Sequence, residues 1–320
     1  MIQESEDRVS HVRVAVVQDT PCAFDRAGTL TKVGQLTAAA AEQGAQLVVL
    51  PEAFVSGYPK GLDFGARVGM RSPEGREVFR RYYDSAVDVP GPDTATLGSI
   101  ARQHGVYVVI GVIERAGGTL YCTVLFFAPD GALLGLHRKV MPTAMERLIW
   151  GFGDGATLPV FATPLGRIGA VICWENYMPA LRMAMYQQRV TIYCAPTADD
   201  RDTWASTMTH IALEGRCFVL SACQHLRRAQ FPDAQMRNAL PDSADGVLMR
   251  GGSLIVDPLG RTLAGPVFNE DALLTAELDL DLIPQAQMDF DAVGHYARPD
   301  VFSLRVNTAP QPAVTLGDGA

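Results

Sequence analysis

The stretch GAVICWENYMPALRMAMY, residues 169–186, joins an apolar run to an amphipathic helical stretch through a short polar turn. The apolar run ends in Cys173, and Trp174 and Glu175 follow at once. A buried strand that leads into a helix is the repeating unit of α/β folds. The stretch therefore predicts an α/β fold, and it leaves open whether Cys173 fills the core or presents a reactive thiol.

Similar apolar runs recur along the rest of the chain. Several are apolar on consecutive residues, which predicts strands buried on both faces. Turn sequences at 114–119 and 128–132 predict two hairpins. The predicted strands are 12–18, 47–52, 106–114, 119–128, 131–138, 168–175, 190–196, 217–223, 252–258 and 273–280, and the predicted helices are 27–45, 93–105, 179–188 and 203–215.

The 320 residues contain no linker rich in Pro, Gly or Ser that would divide them into domains. A single α/β domain with mixed sheets covered by helices is the natural interpretation. We assign that domain to residues 11–300, with a flexible N-terminus at 1–10 and a C-terminal tail at 301–320.

The charge balance is acidic, with 27 Lys and Arg against 35 Asp and Glu and a formal net charge of −8. Nucleic acids and anionic membranes select basic surfaces, so neither partner is expected. The N-terminus carries acids where a signal peptide would be basic, and no window approaches the roughly 18 apolar residues of a membrane span. We therefore predict a cytoplasmic protein.

The cysteines and histidines are scattered. Such spacing matches neither a disulfide framework nor a zinc site, so reduced thiols that mostly fill the core are expected, and no metal. The charged run at 199–202 is predicted to be a solvated loop. The six cysteines are Cys22, Cys122, Cys173, Cys194, Cys217 and Cys223.

Three reactive side chains follow apolar runs, at the strand ends where α/β folds gather function. They are Glu52, Lys139 and Cys173. Each alone also has an ordinary structural explanation, as a loop carboxylate, a solvated amine and a core thiol. A helix start behind Cys173 would favour its thiolate form.

Together these three groups could perform a definite reaction. Without a histidine base, the carboxylate must take the thiol proton, and the ammonium would stabilise negative charge that develops on the substrate. A carboxylate that acts as base to a thiol near neutral pH needs a raised pKa and hence a dry site. Such a site suits an uncharged electrophile with a carbon–nitrogen bond, namely a nitrile or an amide.

Four sequence blocks make the chain resemble the nitrilase superfamily, and within it the nitrilases, over nearly its whole length. The CWE sequence at Cys173 resembles the nitrilase branch more than the amidase and carbamoylase branches. The blocks are LVVLPEAFVSGYPKG (47–61), HRKVMPTAMERLIWGFGDG (137–155), GRIGAVICWENYMPALRMAMY (166–186) and CAPTADDRDTWASTMTHIALEGRCFVLSACQ (194–224).

The resemblance implies roles for four of the residues in these blocks. Glu52 matches the general base of the family, Lys139 its lysine, Cys173 its nucleophile, and Glu146 a further glutamate near the lysine. It also implies a four-layer α-β-β-α sandwich that dimerises to an eight-layer sandwich, with no metal and no organic cofactor. Cys173 is then the nucleophile and not core filler.

The function implied is hydrolysis of an organic nitrile to the carboxylic acid and ammonia through a cysteine thioimidate and acyl-enzyme. An amidase or carbamoylase with the same residues is the alternative, and a non-catalytic binding protein is disfavoured because all three groups are intact. Tyr58 and Trp174 are candidates for a substrate-binding wall, with plain packing as the other explanation.

The assembly implied is a homodimer or a larger even-numbered homo-oligomer. A spiral form is left open, because family members often have a longer tail after the sequence GHYARP (294–299) and that tail is associated with spiral assembly. This chain has only about twenty residues there. The preferred nitrile and the ratio of acid to amide product are left open as well.

Overall fold

The fold is built on two mixed β-sheets that pack face to face in the computed structural model, which describes residues 9–240 and 245–314. The first sheet has the order β13-β1-β2-β3-β4-β5, and the second β10-β11-β9-β8-β7-β6, with β12 paired to β11. The strands are β1 His11–Gln18, β2 Leu47–Val49, β3 Tyr107–Ala116, β4 Thr119–Phe127, β5 Leu133–Arg138, β6 Val160–Thr163, β7 Gly166–Ala170, β8 Ile192–Thr197, β9 Phe218–Cys223, β10 His225–Arg227, β11 Val247–Val256, β12 Thr262–Phe268 and β13 Ala272–Asp279.

Helices cover the outer face of each sheet. All four predicted helices are confirmed to within two or three residues, whereas α2, α6 and α7 were not predicted from the sequence. The helices are α1 Arg26–Glu42, α2 Pro73–Ser85, α3 Pro92–His104, α4 Pro179–Gln187, α5 Asp202–Gly215, α6 Ala234–Ala239 and α7 Leu282–Asp289, and short 3-10 turns lie at Ala144–Leu148, Gly155–Thr157, Cys173–Tyr177 and Arg228–Gln230.

Separate apolar clusters fill the three spaces between the layers. Side chains of both sheets, such as Val14 and Ile192, meet in a central cluster. A second cluster joins the first sheet to α1 and α3, and a third joins the second sheet to α4 and α5. Strands in such sheets bury both faces, which explains their consecutive apolar residues. The predicted four-layer α-β-β-α arrangement is confirmed.

The strand register bears out the predicted hairpins. Strands β3, β4 and β5 pair antiparallel in sequence, through turns at the two predicted positions. Strand β12 escaped prediction because Gly265 and Pro266 interrupt its apolar pattern; it pairs with β11 alone, and an edge strand tolerates proline.

The chain ends lie largely outside the predicted core. Residues 1–8 of the predicted flexible N-terminus and residues 315–320 of the predicted tail lie outside the described residues. Residues 301–314 run exposed along the surface, and the Gln311 N–H donates to Asp154 Oδ2 at 2.8 Å. The domain boundaries stay predictions. In the part of the chain that the structure describes, no helix is long and apolar enough to cross a bilayer.

Candidate active site

The three reactive side chains predicted from strand ends are brought together between the two sheets. Glu52 follows β2 and Lys139 follows β5 in one sheet, and Cys173 follows β7 in the other. All three are buried, with exposed fractions of 0%, 1% and 4%. Because the sheets pack face to face, residues that are far apart in sequence share one enclosed site.

Lys139 joins two carboxylates in this site. Its Nζ donates to Glu52 Oε1 at 2.6 Å and to Glu146 Oε2 at 2.8 Å. Glu146 lies in the 3-10 turn after β5, where its Oε2 also accepts the Thr143 N–H at 2.6 Å. Tyr58 Oη donates to the other oxygen of Glu146 at 2.7 Å. The fourth catalytic residue implied by the resemblance therefore contacts the lysine directly.

Burial and the neighbouring charges set the protonation of Glu52 and Lys139. Burial raises the pKa of the Glu52 carboxyl, the Lys139 ammonium opposes that shift, and the net pKa lies above its usual value. Burial alone would lower the pKa of Lys139, but the surrounding acidic groups, Glu52 first, hold it well above its usual value. Lys139 is thus an ammonium at neutral pH, next to a carboxylate that is more basic than an ordinary one.

Cys173 has an unusual backbone conformation. Its φ is +51°, in the left-handed region that costs a side-chain-bearing residue free energy. The Asn176 amide holds the turn by donating to the carbonyls of Val171 at 3.0 Å and Cys173 at 2.7 Å. The Thr197 hydroxyl donates to Cys173 Sγ at 3.2 Å. The strand also ends earlier than predicted, at Ala170, so the thiol sits on the turn itself.

The expectation that a helix start would favour the Cys173 thiolate is wrong. Burial, and next the negative charge of Glu52, raise the pKa of the Cys173 thiol well above its usual value. The turn behind it is a five-residue 3-10 helix, which is too short to offset that cost. Cys173 at rest is therefore a thiol, and in the predicted role of nucleophile it would need a base at the moment of attack.

The two candidate wall residues differ in their surroundings. Tyr58 is half-buried and stacks edge-on against Trp150, with 5.7 Å between ring centroids. Trp174 is 42% exposed, and its indole N–H donates to Asp199 Oδ2 at 2.8 Å. Asp199 itself is buried and accepts from Arg201, so the prediction of a solvated charged loop at 199–202 is wrong for Asp199, whereas Arg201 and Asp202 are exposed.

Sequence reasoning missed three residues that contact Glu52. Cys122, predicted as core filler, has its Sγ 3.4 Å from Glu52 Oε1. The Gln224 amide donates to the Glu52 carbonyl at 2.7 Å. Gly111 on β3 lies so close that a Cβ there would meet Glu52 Cα at 2.7 Å. Each lies within an apolar run or at its end, where nothing in the pattern distinguishes a neighbour of the site from core.

A sequence model of the family described as carbon-nitrogen hydrolase matches residues 13–288. The chain belongs to the carbon-nitrogen hydrolase family. The predicted resemblance is confirmed at this level.

This carbon-nitrogen hydrolase is similar along most of its length to proteins named nitrilases. An aliphatic nitrilase of Sinorhizobium fredii is 59% identical, over 94% of this chain and 97% of the relative. A nitrilase of Bradyrhizobium diazoefficiens is 58% identical, over 97% and 96%. A bifunctional nitrilase/nitrile hydratase of Lupinus angustifolius is 55% identical, over 95% and 88%. The predicted likeness to the nitrilase branch is confirmed.

Solved structures agree on the fold of this hydrolase. An amidase of Nesterenkonia from the nitrilase superfamily aligns with a TM-score of 0.66 and 22% identity, over 88% of this chain and 95% of that one. At that identity the likeness concerns the fold alone. The roles of Glu52, Lys139, Glu146 and Cys173 stay predictions, as do those of Tyr58 and Trp174.

Proposed function

We propose that this enzyme hydrolyses an organic nitrile to its carboxylic acid and ammonia, with Cys173 as nucleophile, Glu52 as general base, and Lys139 and Glu146 completing the catalytic set. The observation that carries the proposal is the buried Lys139 ammonium between two carboxylates, beside a thiol that is protonated at rest. The names of the relatives support nitriles as the substrates. No step requires a metal or an organic cofactor.

In the first half-reaction, Glu52 takes the Sγ proton as the sulfur attacks the nitrile carbon. The carbon–nitrogen triple bond becomes a double bond, and the nitrogen takes up the proton, which gives a thioimidate on Cys173. Lys139, together with the backbone N–H of Trp174, stabilises the charge that develops on nitrogen. The second oxygen of Glu52 supports this role, since among the described residues Oε2 has no hydrogen-bond partner and is available to accept a proton.

In the second half-reaction, Glu52 activates water, which adds to the thioimidate carbon. Departure of ammonia leaves a thioester, and a second water releases the acid and restores the thiol. Should the thiolate leave first, the product is the amide. The name of the Lupinus angustifolius relative covers both the nitrilase and the nitrile hydratase outcome. We propose that this enzyme releases mainly the acid, with the amide as the minor product.

A cavity of ≈ 320 Å³ adjoins the catalytic set at Tyr58 and Glu146. Its wall includes the apolar side chains of Leu62, Phe64 and Leu148, together with one lysine and one aspartate of opposite charge. An apolar wall beside the reacting groups suits an apolar substituent on the substrate. We therefore assign the nitrile substituent to this cavity and expect it to be uncharged, with Tyr58 on one side.

A substrate panel tests the function directly. Ammonia, acid and amide would be measured with aliphatic nitriles, aryl nitriles, nitriles that carry a carboxylate, cyanide and the matching amides. Uncharged apolar nitriles are expected to react fastest, because binding in the cavity removes the apolar surface of their substituent from water. Hydrolysis of amides but of no nitrile would place the enzyme in the amidase branch. Preference for a charged nitrile would contradict only the cavity assignment.

We also propose that the enzyme is a homodimer or a larger even-numbered homo-oligomer that pairs through α4 and α5. Leu213 on α5 and Tyr177 before α4 expose 37% and 39% of their surface on this side, beyond what one sandwich needs to bury. A spiral assembly and a cytoplasmic location stay predictions.

Sedimentation at micromolar concentration is expected to show a dimer or larger even-numbered species. Leu213→Glu should shift the population towards monomer, because it places a charge in an apolar contact. Thr96→Glu, on the exposed face of α3, is the matched control. A wild-type protein that sediments only as monomer would count against the proposal.

A further inference from the structure

The second and third of the four sequence blocks, residues 137–155 and 166–186, meet at a buried pair that the mechanism above does not use. His137 lies two residues before Lys139, and Glu175 lies two residues after Cys173. Both side chains are fully buried, and His137 Nε2 is 3.0 Å from Glu175 Oε2. Burying a charged or polar pair of this kind costs free energy unless both groups are fully hydrogen-bonded. Its place between the two catalytic segments therefore calls for an explanation.

Glu175 binds backbone on both sides of the site. Its Oε2 accepts the N–H of Ile172, the residue before the nucleophile, at 3.0 Å. Its Oε1 accepts the N–H of Val140, the residue after the catalytic lysine. One carboxylate thus ties the Cys173 turn in one sheet to the Lys139 segment in the other.

The ring contacts decide the charge of His137. Its Nδ1 contacts the Thr157 carbonyl oxygen, which can only accept, so Nδ1 carries a proton. Its Nε2 is 3.0 Å from Glu175 Oε2, and both oxygens of Glu175 already act as acceptors for backbone N–H groups, so the hydrogen bond between ring and carboxylate needs a donor on the ring. The second proton therefore belongs to Nε2, and the ring is an imidazolium.

We propose that the His137 imidazolium and the Glu175 carboxylate form a buried ion pair that positions the Cys173 thiol relative to the Lys139 ammonium. The proposal rests on the proposed function, because it assigns both residues to positioning for that reaction. Neither side chain needs to touch the substrate. A displacement of about 1 Å between reacting groups can cost on the order of 100-fold in rate, which is the effect that loss of the pair would have.

The surrounding charges are consistent with this pair. Burial alone would lower the pKa of His137, but the Glu175 carboxylate and the Thr157 carbonyl outweigh it and raise the pKa above its usual value. Tyr193 on β8 also interacts electrostatically with Glu175, and burial holds the pKa of Tyr193 well above its usual value. The neighbours of His137 in sequence contact other carboxylates: Arg138 contacts Glu114, Lys139 contacts Glu52 and Glu146, and the pKa of each is raised. None of these three loses its proton near neutral pH.

The sign of the pH dependence follows from that direction. A histidine with a raised folded-state pKa contributes stability that is fully present below its unfolded pKa of about 6.5 and is lost as pH rises through the folded pKa. The positioning effect should be lost over the same interval. We therefore expect an alkaline limb in kcat that is absent in His137→Gln.

Kinetics of Glu175→Gln test the proposal. Its kcat should fall about 10- to 100-fold while KM changes less than about 3-fold, because the substrate contacts remain. The double variant with His137→Gln should be no slower than Glu175→Gln alone, since both changes break the same ion pair.

The control is Asp257→Asn. Asp257 is also buried and accepts two backbone N–H bonds, at 2.8 and 2.9 Å, but it lies in the β11–β12 turn. It should keep the wild-type kcat and pH profile.

Nitrogen NMR of the histidine rings tests the charge without reference to turnover. In ¹⁵N-histidine protein carrying Cys173→Ala, both ring nitrogens of His137 should be protonated at pH 7, with the signals assigned by their loss in His137→Gln. A ring with one protonated nitrogen, a wild-type kcat in Glu175→Gln, or single effects that multiply in the double variant would each overturn the ion pair. A wild-type enzyme without nitrile turnover would instead contradict the proposed function, and the NMR result would still decide the pair.

Discussion

Cys173→Ala is expected to abolish nitrile turnover while the protein stays folded. The substitution removes the only atom proposed to bond the substrate carbon, and loss of a nucleophile costs on the order of 10⁴–10⁶ in rate. The fold should survive, because the side chain lies at a turn after β7 and the Asn176 amide holds that turn through main-chain carbonyls. Ammonia release and circular dichroism measure the two effects.

Two other buried cysteines serve as matched controls for this substitution. Cys194 on β8 and Cys217 before β9 are as buried as Cys173, and burial likewise raises the pKa of both thiols well above the usual value. Alanine at either position should leave most of the activity, since neither thiol is proposed to touch the substrate. An inactive Cys194→Ala beside an active Cys173→Ala would show that the nucleophile has been assigned to the wrong residue.

Glu52→Gln is expected to stop the reaction before any covalent intermediate forms. Because the Cys173 thiol is protonated at rest, attack needs a base, and the amide of Gln cannot take the proton. In the wild type, intact-mass spectrometry after a rapid acid quench should find thioimidate or thioester mass on the peptide that contains Cys173. In Glu52→Gln both this adduct and ammonia should be missing.

The same variant distinguishes a base for both half-reactions from a base for hydrolysis alone. If another group deprotonated Cys173, Glu52→Gln would accumulate adduct and fail only in its hydrolysis. Lys139→Ala gives a second comparison: it should also fail early, by about 10²–10³ in rate, because the nitrogen anion lacks its ammonium. Adduct on a residue other than Cys173 would contradict the whole assignment.

Local chemistry explains why so much could be predicted from the sequence. Strands such as β1 and β8 are covered on both faces, so their residues are apolar in unbroken succession. That pattern can be recognised in the sequence alone. Helices α1 and α3 begin and end within three residues of the positions that the apolar pattern predicts. By contrast, most side chains of α2 are polar, so no apolar pattern predicts this helix from the sequence. Only the folded structure shows that its Tyr82 is buried.

Proximity and burial, on the other hand, are properties of the folded chain. The sequence by itself determined the layered α/β architecture and located Glu52, Lys139 and Cys173 at strand ends, because strand periodicity and polar residues after apolar runs are local signals. The tertiary structure alone decided that Cys122 and Gln224 contact Glu52, that Asp199 is buried, and that His137 pairs with Glu175. It also decided the protonation of Cys173, because desolvation depends on atoms contributed by distant segments.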